Sequence, residues 1–328
     1  MRILARIGVL IGLLIASSPA LACDPCGCGL PGNGIEIAAP GVGSLRQAQP
    51  GSWLLTTGLG LRDITGSFND RGAWSPRPAA SRLWTWQAQS SLTWFPTAEW
   101  TVGLQVPVAF NDLDRAQWGG QGSIRPVDTQ DLEEMGQAST SPRQMGGGLA
   151  DIDFQASWLA TPGDETWPAM AWWGNLTCPT GRGSGSAADQ TGTGAFQAQG
   201  GLSLWQRWES LELSGSLGAS LPVGVPAGLQ NAAFFLGRSV LGLLQANLEV
   251  SDTWRLGVGA LGFRSMIDSQ EIAPSAASMG KLKLIGSCEW RPVPGWTLRA
   301  TYGMDPGLTP GVNAMTDQTF TFLTSRLL

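Results

Sequence analysis

Three cysteines crowd the stretch CDPCGC: Cys23, Cys26 and Cys28. Thiolates at this C-x2-C-x-C spacing are soft ligands suited to Cu(I) or Zn(II). The chain has no histidine to complete such a shell. Two other fates fit the same residues. In an oxidising compartment they can form a disulfide or simply be structural. Cys23 can also be lipidated at a cleavage point, although Ala20 stands where a lipobox has Leu. All three readings stay open. The missing histidine also bears on catalysis. Barrel hydrolases use histidine as a general base or pair it with an acid. No Ser or Asp here is presented to another base, so the expectation is a non-enzyme. No cofactor is expected beyond the Cu or Zn option at these cysteines.

The remaining polar groups recur at every second position: Gln87, Gln105, Asp151, Asp153, Gln197, Gln199, Glu212, Glu249, Arg255, Lys281, Lys283, Arg291 and Arg299. A period of two places residues on one face of a strand. The strands can be read from the same rows. LWTWQAQSSLTWFPTAEWTVGLQVPVAF (83–110) alternates Trp84, Trp86, Ala88, Leu92 and Trp94, then Trp100, Val102, Leu104, Val106, Val108 and Phe110, with Gln, Thr and Ser between. Similar runs continue from Trp53 and Leu55 to Phe320 and Phe322, less regular at Met170, Trp172 and Leu176. They make about twelve strands of about ten residues, the length of tilted membrane strands.

The connections alternate in length. Short ones (FPTAE, TPGDET, QRWE, SDT, RPVPG) take turns with long ones near 63–82, 112–148, 179–194, 222–238, 266–279 and 305–316. That sorting predicts an all-β fold, an antiparallel up-and-down transmembrane β-barrel with short periplasmic turns and long extracellular loops. A β-sandwich would also hold aromatics, but has no reason to sort its loops. Tryptophans follow the short turns: Trp53, Trp94 and Trp100, Trp158 and Trp167, Trp205 and Trp208, Trp254, Trp290 and Trp296. Indole settles at the lipid headgroup level, so these read as a periplasmic girdle, with Trp84, Phe110, Trp172 and Phe196 as the outer one. The apolar face then looks at lipid, because only a closed sheet pairs all its backbone groups in hydrocarbon. The polar face lines a lumen.

Residues 1–22 read as a signal peptide, with Arg2 and Arg6, the run IGVLIGLLIA and the A-x-A site Ala20–Leu21–Ala22. Residues 23–50 form a Cys/Gly/Pro-rich periplasmic N-terminal segment and 51–328 the barrel. Charged residues are 14% of the chain against a typical figure of about 25%, and the net charge is −5, which argues against nucleic acid. The expected partners are outer-membrane lipid, the barrel-assembly machinery and a small-molecule solute, for a monomer in the cell outer membrane.

Asp151, Asp153, Glu212 and Glu249 fall on the fourth, seventh and eighth strands, and Arg255, Lys281, Lys283, Arg291 and Arg299 on the ninth to eleventh. Two readings fit: opposed walls with a transverse field, or internal ion pairing. The 112–148 connection, with LEEM as a short helical turn, is long enough to fold inward as a constriction. Cys178 and Cys288 sit on strands about opposite, facing lipid, too far apart to pair. GVGALG (257–262) lies in mid-strand with no following helix and is not a nucleotide loop.

The pair GGGLADIDFQASW and NLTCPTGRGSGSAADQTGTGAFQAQGGLSLW resembles the bacterial outer-membrane barrels related to the phenol-degradation meta-pathway family. CGCG at 26–29 is like the start of some members. The resemblance covers residues 50 to 328 and implies a channel passing small, often apolar or aromatic, molecules. Such barrels commonly end in an aromatic residue, whereas this chain ends SRLL, with Arg326 on the lipid face. The expected function is passive passage through a narrow polar lumen. The alternative is a closed structural or binding barrel whose cysteine segment holds a soft metal ion.

Overall fold

The computed structural model describes residues 49–68, 74–77, 82–114, 143–164, 166–181, 191–192, 196–224, 238–266, 278–307 and 315–328. Every regular element among them is a strand. In chain order these are β1 (Trp53–Phe68), β2 (Trp74–Pro76), β3 (Arg82–Trp94), β4 (Trp100–Asp114), β5 (Arg143–Leu149), β6 (Ile152–Thr161) and β7 (Ala169–Cys178). Then follow β8 (Phe196–Trp208), β9 (Leu211–Gly224), β10 (Arg238–Glu249), β11 (Trp254–Met266), β12 (Ser278–Trp290), β13 (Trp296–Met304) and β14 (Met315–Leu327).

Strands pair antiparallel with their neighbours around a ring, and β14 pairs with β1 from Leu54↔Leu327 to Ser67↔Met315. The result is a closed barrel of twelve staves. β2 is a short addition on β1, and β5 and β6 together make one stave against β4. Closure leaves no edge in the wall, which is what hydrocarbon demands of a sheet. The alternation places Leu59, Val108, Phe154, Leu217, Val258 and Phe322 on the exposed outer face. Thr56, Gln105, Asp153, Ser203, Asn247 and Thr321 are buried on the inner one. This is a soluble core turned inside out.

The rim at the short turns carries stacked indoles on neighbouring staves. Trp53 lies 5.8 Å from Trp94, Trp100 6.3 Å from Trp158, and Trp254 5.9 Å from Trp290. Two of the expected girdle tryptophans lie elsewhere. Trp205 faces inward and is buried. Trp172 pairs with Trp158, itself paired with Trp100, so it belongs near the short-turn rim and not the outer one. The period of two gave its phase correctly but could not give its height on the stave. Arg326 does face outward, with its guanidinium 5.2 Å from the Trp296 ring centroid. A cation over an indole at the interface is well placed, so the register there holds.

The turns hold themselves by side-chain caps. The Thr166 hydroxyl and the backbone N–H groups of Trp167 and Thr166 donate to Asp164. They hold its carboxyl below the ordinary carboxylate value. In the tight turn Glu209–Ser210, Glu209 has φ 44, a left-handed backbone.

The break between β5 and β6 explains the two motifs that carry the resemblance. Pro107 on β4 turns its carbonyl to this stave and accepts from Ala150 N–H at 2.9 Å. Its missing N–H faces the same way, so the ladder cannot continue there. The stave kinks at Ala150–Asp151. Loop residues then take up the freed groups: the Thr180 hydroxyl donates to Ala150 O (2.8 Å) and accepts from Ile152 N–H (3.1 Å). The Thr191 hydroxyl donates to Leu149 O (2.7 Å), and Gly181 N–H donates to Asp151 Oδ1 (3.0 Å). A Cβ on Gly192 would sit 2.2 Å from Asp151 Oδ1, so the approach requires glycine. Leu149–Ile152, Thr180–Gly181 and Thr191–Gly192 are therefore three parts of one knot in the wall.

Candidate transport lumen

The inner face is the candidate site, and its polar part begins as amide ladders. Gln105 Nε2 donates to Gln89 Oε1 (3.1 Å) and Gln155 Nε2 to Gln105 Oε1 (3.1 Å), joining β3, β4 and β6. Asp153 Oδ1 accepts from Thr177 Oγ1 (2.5 Å) and Asn175 Nδ2 (3.1 Å) on β7. Gln197 and Gln199 are buried on β8, and Gln87 is half-buried on β3. Asp151 is buried too, but its visible work is at the stave break.

Near the short-turn rim the charges pair with one another. Arg255 on β11 donates to Glu212 on β9, and Arg207 on β8 to Glu249 on β10. Arg291 contacts Glu249 (3.6 Å) and Glu289 (2.7 Å), and Arg299 Nε donates to Glu289 Oε2 at 3.0 Å. The chain of contacts Arg207–Glu249–Arg291–Glu289–Arg299 reaches from β8 to β13 with alternating sign, and Arg255–Glu212 is a further pair beside it. Of the two sequence readings, internal pairing is the one the geometry bears out. Higher up, Asp317 on β14 is fully buried between two cations: Arg62 Nε at 2.7 Å and Lys283 Nζ at 2.8 Å. Lys281 pairs in register with Phe263.

Sequence reasoning missed an apolar part of the inner face. Phe95, Ala169, Ala171, Trp173, Trp205, Leu241 and Phe263 form one buried cluster, and Leu243, Leu261 and Leu323 are also buried. The signal is weak, because an apolar inner residue beside an apolar outer one erases the alternation. Arg62 was legible, since Leu59 and Leu61 fix its inward phase; Asp317 fell just past a loop boundary. Trp173 shows how the wall accommodates bulk. Its indole lies where side chains on Gly201 and Gly218 would be: a Cβ on Gly218 would stand 2.6 Å from Trp173 Cζ2. Gly218→Ala should therefore force Trp173 off the wall and lower stability by about 1–3 kcal/mol, as overpacking does. Urea unfolding in detergent, followed by tryptophan fluorescence, measures it; an unchanged midpoint would mean the indole has room to move.

Cys178 and Cys288 are free and face outward, as expected. Cys23, Cys26 and Cys28 lie outside the described residues, as do residues 115–142 of the long connection and the signal segment. Among the described residues no group of three or more His, Cys, Asp or Glu could hold a metal ion.

An outer membrane channel from Pseudomonas putida F1 superposes with a TM-score of 0.63 at 14% identity, over 91% of this chain and 99% of that one. This chain has the fold of an outer-membrane channel. Two further structures superpose less well. The NanC porin gives a TM-score of 0.46 at 6% identity, over 82% and 98% of the two chains. The Ralstonia pickettii toluene transporter TbuX gives 0.42 at 12%, over 93% and 98%. Both scores are too low to argue a shared topology. No family model matches the chain, and no curated protein does.

Proposed function

We propose that this barrel sits in the outer membrane, with its N-terminus in the periplasm, and passes small apolar or aromatic molecules passively down their gradient. The observation that carries the reading is the inner apolar stripe Trp173, Leu241, Leu243, Leu261 and Phe263 inside a closed wall with a lipid-facing exterior. An apolar solute sheds water on entering such a stripe at no cost in hydrogen bonds. The fold it shares with a channel supports the same reading. The polar inner residues Gln87, Gln105, Asp153, Gln197, Gln199, Glu212, Glu249, Arg255, Lys283 and Arg299 line the rest of the route in this reading. The barrel acts as a monomer in lipid, delivered by the assembly machinery, and no catalytic step is involved.

The test is uptake of a radiolabelled aromatic hydrocarbon by vesicles with a lipopolysaccharide outer leaflet. Vesicles carrying the barrel should fill faster than empty ones. Equal rates would leave the closed-barrel alternative standing. Metal analysis of the same preparation, with and without Cys26 and Cys28, examines the soft-metal option.

A further inference from the structure

The apolar cluster does not stay on one wall. Phe95, one residue past β3, continues that strand's inner row and is 1% exposed. Gly51 N–H donates to Phe95 O (2.7 Å) and Phe95 N–H to Ser52 O (3.1 Å), so the lead-in to β1 holds its backbone. The cluster it joins includes Ala169 and Trp205, with Leu54, Leu159 and Leu327 packed against it. Leu54 and Leu327 belong to β1 and β14, Leu159 to β6, Ala169 to β7 and Trp205 to β8. In ring order β1 and β8 lie five places apart out of twelve, nearly opposite. The cluster therefore reaches from the β7–β8 wall to residues of β1 and β14 on the nearly opposite side. These residues lie at the short-turn end, where Leu54 adjoins Trp53, Leu159 adjoins Trp158 and Ala169 begins β7, while Leu241 and Phe263 carry the cluster further up the wall on β10 and β11. The ion-pair ladder near this rim uses its charges on itself, across β8 to β13.

We propose that the short-turn end of this cluster is a hydrophobic gate at that mouth of the barrel, with Phe95 and Trp205 as its specificity-determining residues. A hydrated ion meeting apolar side chains in contact must give up water and gains no ligand in return; an apolar solute only exchanges one greasy surface for another. The gate thus decides what passes by its dryness and not by size alone. This deepens the channel reading and partly rests on it.

Planar-bilayer recording in KCl tests the gate. The wild type should conduct little, and Phe95→Ala, Trp205→Ala and the double variant should conduct more, the last by about threefold or above, as expected when a dry constriction wets. Phe95→Gln keeps bulk but adds a polar group. It should leak ions if dryness is the barrier, and it decides the matter if the alanine variants fail to fold. Phe322→Ala, on the lipid side, should leave conductance unchanged. The proposal is overturned if folded Phe95→Gln and the alanine variants conduct like the wild type, or if the wild type already conducts as well as they do. Failure of hydrocarbon uptake by the wild type would instead strike the channel reading and leave the ion measurement intact.

Discussion

Asp317→Asn should cost about 3–5 kcal/mol, the range seen when one partner of a buried ion pair is removed. The asparagine keeps the shape of the carboxylate and loses its charge. Arg62 on β1 and Lys283 on β12, at 2.7 and 2.8 Å from that carboxylate, would then face one another from staves three places apart around a neutral amide. Repulsion and the desolvation of both cations fall on the β12–β13–β14–β1 wall. Urea titration of the folded barrel in micelles, read by the mobility shift of unheated samples on a gel, gives the loss. Adding Lys283→Met removes one of the two cations and should recover part of it, because the pair is coupled. A midpoint equal to that of the wild type would show that Asp317 does not hold this wall.

Leu59→Arg tests the larger claim about the outer face. Leu59 is 61% exposed and sits on β1 six residues above the indole rim at Trp53. An arginine facing lipid near the bilayer middle costs about 2–4 kcal/mol, and one near the interface about 0–1. Leu328→Arg, beside Arg326, is the interfacial control. The expected result is a strongly reduced folding yield and stability of Leu59→Arg in phosphatidylcholine vesicles, with the control near the wild type. If both behave alike, the stripe is not bathed in lipid and the barrel's environment has been misjudged.

Much of this molecule can be read from the period of two. Leu211 to Leu221 on β9 alternate with Glu212, Ser214, Ser216 and Ser220, and the phase assigned from that pattern is the phase observed. Where the interior is itself apolar the pattern fades. AMAWWGNLTC on β7 carries Ala171 and Trp173 inside and Met170 and Trp172 outside, so neither face stands out. The upper part of β10, with Leu241 and Leu243 inside, lies just past the 222–238 connection and shows no alternation for the same reason. The broken stave of β5 and β6 escaped because its cause, Pro107, lies on the neighbouring strand. Ion pairs such as Arg255 with Glu212 join strands two places apart, and only the closed ring's curvature shows which charge answers which.

The seam between β1 and β14 has one more consequence. Thr56 and Ser325, 269 positions apart, touch at 2.9 Å, and Trp53 and Leu328 exchange both backbone bonds across it. A ring sewn this way has no privileged starting stave. Linking the neighbourhood of Trp53 to that of Leu328 and cutting instead at the exposed Glu209–Ser210 turn would give a circular permutant whose strands find the same neighbours, with the old seam becoming one more hairpin.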